Sequence, residues 1–97
     1  MTNPTASSEL SQQYYCEGFE LLKLEHFVES LEKFGKSAEL RNKTTPDMYR
    51  NQGWCLFRLA EQDAFVLEWK SAEEKFQQAK RFYERAIAGF LQMKQQD

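Results

Sequence analysis

The sequence predicts an all-α protein made of antiparallel helical hairpins with a long C-terminal helix. Three observations carry this expectation. Val and Ile occur only at Val28, Val66 and Ile87, whereas strands draw on β-branched residues to cover a pleated, half-buried surface. Two prolines and four glycines are the only strong helix breakers in 97 residues. Apolar residues recur at steps of three and four along most of the chain, which gathers them on helix faces. With 41% apolar and 14% aromatic content, a chain of this length can bury one core.

Residues 1–7 are small and polar and contain Pro4, so a flexible tail is expected, with Ser8 capping the first helix. Residues 8–97 are read as a single domain. In the first helix Tyr14, Gly18, Leu21 and Leu22 share a face, and Tyr15 and Phe19 form an adjoining stripe. Phe27, Leu31, Phe34 and Ala38 then make one clean stripe, a second helix. Glu25-His26 is a weak turn by local chemistry, and one long helix from Ser8 to Leu40 satisfies the same pattern.

The clearest boundary is RNKTTPD, residues 41–47. Thr45 can cap a helix, Pro46 suits its first position and Asp47 favours its first turn. A third helix starts there and carries Tyr49, Gly53, Trp54, Leu56, Phe57 and Leu59. Beyond it, Phe65, Trp69, Ala72, Phe76, Ala79, Tyr83, Ala86 and Phe90 alternate steps of four and three, the pattern of a seam for another helix. This periodicity predicts one uninterrupted helix from Asp63 to Ala88. Ser71-Ala72-Glu73-Glu74 is a competing signal, since it matches a capping box that would start a helix at Ala72.

Sliding the chain against itself returns Tyr14-x3-Gly18-x2-Leu21 as Tyr49-x3-Gly53-x2-Leu56, displaced by 35 residues. The same displacement sets Ser30, Phe34 and Ser37 opposite Phe65, Trp69 and Ala72. Repeats of this length signal stacked helical hairpins. The pattern resembles the tetratricopeptide repeat (TPR), whose first helix carries an aromatic and a glycine and whose second carries small, aromatic and small residues. Glu17, Gln52, Phe65 and Asn42 depart from it. The resemblance implies repeat 1 at about residues 11–44, repeat 2 at about 46–79, and a capping helix or helix extension at about 80–95.

Chemistry finds little purchase in this composition. The only histidine, His26, falls at a turn beside Glu25, and Cys16 and Cys55 lack a Cys-His neighbourhood or metal-ligand spacing. No phosphate loop or dinucleotide fingerprint occurs among the glycines. The sequence therefore predicts no enzyme, no catalytic residue, no cofactor and no metal site. A net charge of −2 exerts no general pull on nucleic acid. The absence of a leader pattern or a long apolar run predicts a cytoplasmic protein without a membrane segment.

The TPR resemblance implies a protein-protein interaction module, an adaptor or small chaperone, whose first helices line a groove. It carries over Gln12, Tyr15, Cys16, Phe19 and Lys23 from the first hairpin, and Arg50, Asn51, Trp54 and Arg58 from the second. That groove is aromatic with a basic edge, which implies an amphipathic, acidic peptide or helix as partner. Of the family's carboxylate clamp for chaperone tails, only Asn51 is present. The alternative expectation is a structural protein that forms a homodimer by pairing its Phe65–Phe90 seam with that of its own copy.

Overall fold

The computed structural model describes residues 4–41 and 43–95. It holds four helices, α1 (Pro4–Lys23), α2 (Phe27–Glu39), α3 (Pro46–Phe65) and α4 (Trp69–Gln95), and no strand among the described residues. The all-α expectation holds. The chain divides into two compact units, Met1–Thr44 and Thr45–Asp97. Each is one hairpin, α1 against α2 and α3 against α4.

Both hairpins turn in the same way. At the end of α1, Glu25 N–H donates to Leu22 O (3.0 Å) and His26 N–H to Leu21 O (2.9 Å); at the end of α3, Leu67 N–H donates to Ala64 O (3.0 Å) and Glu68 N–H to Asp63 O (2.9 Å). These paired bonds make a Schellman cap, which needs one residue in the left-handed region. Glu25 (φ 61°) and Leu67 (φ 65°) take that position. The next helix then starts at once, at Phe27 and at Trp69. One helix from Ser8 to Leu40 is therefore excluded. So is the uninterrupted helix from Asp63 to Ala88, because the chain reverses at residues 66–68. α4 does run unbroken through Ser71, so the capping box starts nothing there.

The two turns lie 42 residues apart, at Glu25 and Leu67, and the 35-residue displacement is corrected accordingly. Measured from the turns, Gly18 corresponds to Ala60, Ser30 to Ala72, Phe34 to Phe76 and Ser37 to Ala79. Pro4 and Pro46 open two helices of 20 residues each. α1 thus begins four residues before the expected Ser8 cap, with Pro4 in the first helical position, where its missing N–H costs nothing. The rest of the expected tail, residues 1–3, and the departure at Asn42 lie outside the described residues. α3 starts as expected, with Thr45 Oγ1 accepting from Met48 N–H at 3.3 Å.

Small residues at seven-residue intervals form the line along which each pair of helices meets. In the first hairpin Ser11 and Gly18 face Ser37 and Ser30. Ser37 Oγ donates to Ser11 O (2.7 Å), Ser11 Oγ to Ser37 O (2.9 Å) and Ser30 Oγ to Gly18 O (2.7 Å). In the second hairpin Ala60, Ala72, Ala79 and Ala86 are buried, and Gly53 lies against Ala79 O and the Tyr83 ring. Without bulk between them the backbones approach closely. Pro46 meets Gly89 at the far end, and α4 continues past that point to Gln95.

Two glycines in the first hairpin respond oppositely to the same change. A Cβ at Gly18 would sit 2.9 Å from the Phe34 ring, whereas one at Gly35 would meet nothing within 4 Å. Gly18→Ala is expected to destabilise by about 1–3 kcal/mol through overpacking. Gly35→Ala, in mid-helix, is expected to stabilise by about 0.5–1 kcal/mol. Urea melts of the two variants against the parent check both signs. Relieving the left-handed backbone in Leu67→Gly is expected to raise stability by about 0.5–1 kcal/mol in the same melts, since the strain removed exceeds glycine's extra entropy.

Candidate functional site

On α1 the expected residues form one stripe at helical spacing. Gln12 Nε2 donates to Cys16 Sγ at 3.6 Å, and Cys16 is an exposed free thiol. Tyr15 is half-buried, with its ring 5.6 Å from that of Phe34 and the Arg41 guanidinium 5.9 Å above it. Arg41 is held there by Nε donating to Ser11 Oγ (2.8 Å) and Nη2 to Gln12 Oε1 (3.2 Å). Phe19 is 40% exposed. The Lys23 ammonium lies 5.2 Å from its ring centre and pairs with Glu20 at 3.2 Å.

On α3 three of the four expected residues are open. Trp54 is 40% exposed, stacks on Phe57 (6.0 Å, 19°) and carries the Arg58 guanidinium at 5.5 Å. Phe57 in turn meets Phe76 of α4 edge-on at 5.6 Å. Arg50 lies 5.9 Å from the Phe90 ring and pairs with Asp47 at 3.2 Å. Asn51 differs, being only 7% exposed and buried with Gln52, Met48 and Cys55, so its amide is not presented for binding. The two sets belong to different units, each a surface of its own hairpin.

The Phe65–Phe90 seam divides in the structure. Ala72, Ala79 and Ala86 are buried in the hairpin, while Trp69, Phe76 and Phe90 run along its edge, 63%, 37% and 38% exposed. Pairing with a second copy through the whole seam would displace α3. Phe76 and Phe90 belong to the seam expected for pairing with a second copy, and their signal is the heptad 69, 76, 83, 90, aromatic at every position. Phe57, half-buried between Trp54 and Phe76, is not among the expected site residues.

A polar cluster ties the turn end of the second hairpin. Ser71 Oγ and Lys75 Nζ both donate to Asp63 Oδ2 at 2.6 Å, and Lys75 Nζ also reaches Ser71 Oγ at 2.8 Å. A serine beside a lysine resembles a catalytic dyad, but here the lysine is spent on a carboxylate and Ser71 donates its own proton to the same oxygen. The bond from Lys75, then that from Ser71, holds the Asp63 carboxyl below the usual aspartate range despite its partial desolvation. In the first hairpin Lys33 pairs with Glu17 across α1 and α2 at 3.0 Å. The Lys33 bond, then one from Gln13, lowers the Glu17 carboxyl likewise.

No family model, no curated protein and no solved structure matches the chain. No helix among the described residues is long and apolar enough to cross a membrane.

A carboxyl lowered by folding stabilises the fold above its unfolded pKa, and that contribution is lost as pH falls through the folded value. The parent should therefore exceed Asp63→Asn in stability at pH 7. The difference should shrink as pH falls below about 4, the ordinary aspartate value. Paired denaturant titrations at pH 7, 4 and 2.5 check this; a constant difference would show that Asp63 acts by packing alone.

Proposed function

We propose that the protein is a non-catalytic interaction module, a TPR-like adaptor or small chaperone that binds a peptide or helix of a partner protein. The observation that carries this reading is the pairing of exposed rings with cations on first helices: Phe19 under Lys23 on α1, Trp54 under Arg58 on α3. Large rings supply contact area with little rotamer loss, and stacked cations select a partner bearing carboxylates. The partner is thus amphipathic and acidic.

The order of residues within each hairpin supports the TPR-like part of the reading, while the 42-residue spacing of the hairpins is longer than the family's repeat of about 34. Aligned on the turns, Leu56-x2-Leu59-Ala60-x2-Asp63 matches Tyr14-x2-Glu17-Gly18-x2-Leu21, and Ala72-x3-Phe76 matches Ser30-x3-Phe34. Both follow the family's order of a large residue, a small one at the helix crossing, and small-x3-aromatic on the second helix. The Phe65 departure disappears, because Ala72 takes that place. Two free thiols fit a reducing compartment such as the cytoplasm.

Removing an exposed anchor separates binding from folding. Trp54→Ala and Phe19→Ala are expected to melt within about 1 kcal/mol of the parent, whereas Leu56→Ala, at a 5% exposed position, should lose about 2–5 kcal/mol. In affinity capture from the source cells, each surface variant should lose a partner that the parent retains, since truncating such an anchor costs about 2 kcal/mol or more. Folded variants that retain an unchanged partner set would refute the reading.

A further inference from the structure

The edge of the second hairpin carries more aromatic surface than a first-helix groove requires. Trp69, Phe76, Tyr83 and Phe90 follow one another every seven residues along α4, and Phe57 and Trp54 of α3 extend the row sideways. At the corresponding positions of the first hairpin, Phe27 is 3% and Phe34 0% exposed, whereas Trp69 is 63% and Phe76 37% exposed. The same ring positions are closed in one hairpin and open in the other.

We propose that this edge receives an acidic amphipathic helix of another polypeptide, about 20 residues long; the proposal rests on the interaction-module reading and names its partner. The spacing selects a helix. Rings seven residues apart on α4 stand about 10.5 Å apart, the repeat at which a second helix presents its i and i+7 side chains. An extended peptide presents same-face side chains about every 6.8 Å and would fall out of step. From Trp69 to Phe90 the row runs about 31 Å, the length of roughly 20 helical residues.

Charge selects the sign. Arg50 and Arg58 flank the row from α3, stacked on Phe90 and Trp54. Arg50 pairs with Asp47 and Arg58 with Glu61, both i,i+3 neighbours whose carboxylate side chains are 56% and 50% exposed, the kind of surface pair that is weak and readily exchanged. Glutamates along the incoming helix would meet both guanidiniums. Pairing of α4 with the α4 of a second copy does not fit, because α4 holds six basic and three acidic residues and would bring like charge to the arginines.

Both tryptophans of the chain, Trp54 and Trp69, lie on this edge, so their fluorescence reports its occupation. The probes are three synthetic 21-residue peptides: one with Leu at heptad core positions and Glu on the flanks, its twin with Lys on the flanks, and the Glu peptide with two central prolines. The Glu peptide is expected to bind the full chain one to one with a blue shift, at least ten-fold tighter than either other peptide. Trp69→Ala should weaken it at least five-fold. Arg50→Glu/Arg58→Glu, whose sites are surface residues and whose fold the far-ultraviolet spectrum verifies, should reverse the preference towards the Lys twin. Equal binding of the Glu and Lys peptides, no binding of the Glu peptide, or a concentration-dependent dimer that shifts the fluorescence without peptide would each overturn the proposal. Tight binding of the proline-broken peptide that is abolished by Phe19→Ala and untouched by Trp69→Ala would overturn it while leaving the interaction-module reading in place.

Discussion

Close approach of two helices along a line of small residues is the constraint on which each hairpin depends. Ser11, Gly18, Ser30 and Ser37 in one unit, and Gly53, Ala60, Ala72, Ala79 and Ala86 in the other, hold the helices close, and the Phe34 and Tyr83 rings pack directly on the two glycines, Gly18 and Gly53. The serines compensate for the apolar burial they forgo by donating to the carbonyls opposite, which stabilises the same spacing by hydrogen bonds. Rings that find no such glycine opposite stand on the flanks of the second hairpin, where Trp54, Phe57 and Phe76 form a cluster along its edge.

The ends of the hairpins show the same economy with different chemistry. A Schellman cap needs a left-handed residue, and both turns place a residue with a Cβ there, Glu25 and Leu67. The strain of such a residue is modest beside what the turn secures: it starts the next helix within two residues and thereby sets the register of the small-residue line. At the second turn the Asp63, Ser71 and Lys75 cluster adds a charged tie between α3 and α4. Glu17 and Lys33 supply the equivalent link between α1 and α2.

The helical class, the α3 start at Thr45-Pro46 and the amphipathic faces were legible in the sequence because each has a local cause: composition, cap chemistry, spacing. The turns were not, since neither contains Gly, Asn or Pro and a Schellman cap closed by Glu or Leu leaves no compositional mark. The repeat was legible only to within one heptad. Gly53 and Ala60 are both small and seven residues apart, so a self-comparison that matches glycine to glycine settles on 35 residues, whereas the turns demand 42. Of the candidate surface, the α1 stripe and Trp54, Arg50 and Arg58 were recoverable from helical spacing. The burial of Asn51 was not, because a polar residue on a helix with apolar residues all round gives no sign of which face is covered.

The cations above the rings change what the exposed aromatic area presents to its surroundings. Lys23 over Phe19, Arg58 over Trp54 and Arg50 beside Phe90 each lay a charged, hydrated group on a ring face that would otherwise present bare apolar surface. Such a cation disfavours stacking of ring on ring between identical molecules, because each copy would have to desolvate like charges. It does not disfavour a partner that arrives with carboxylates, whose approach neutralises the guanidinium while its apolar side chains take the ring edges. On the proposed reading, the feature that places hydrated charge on these rings is the one that selects what covers them. The selectivity resides in the repulsion of unsuitable surfaces as much as in attraction to the suitable one.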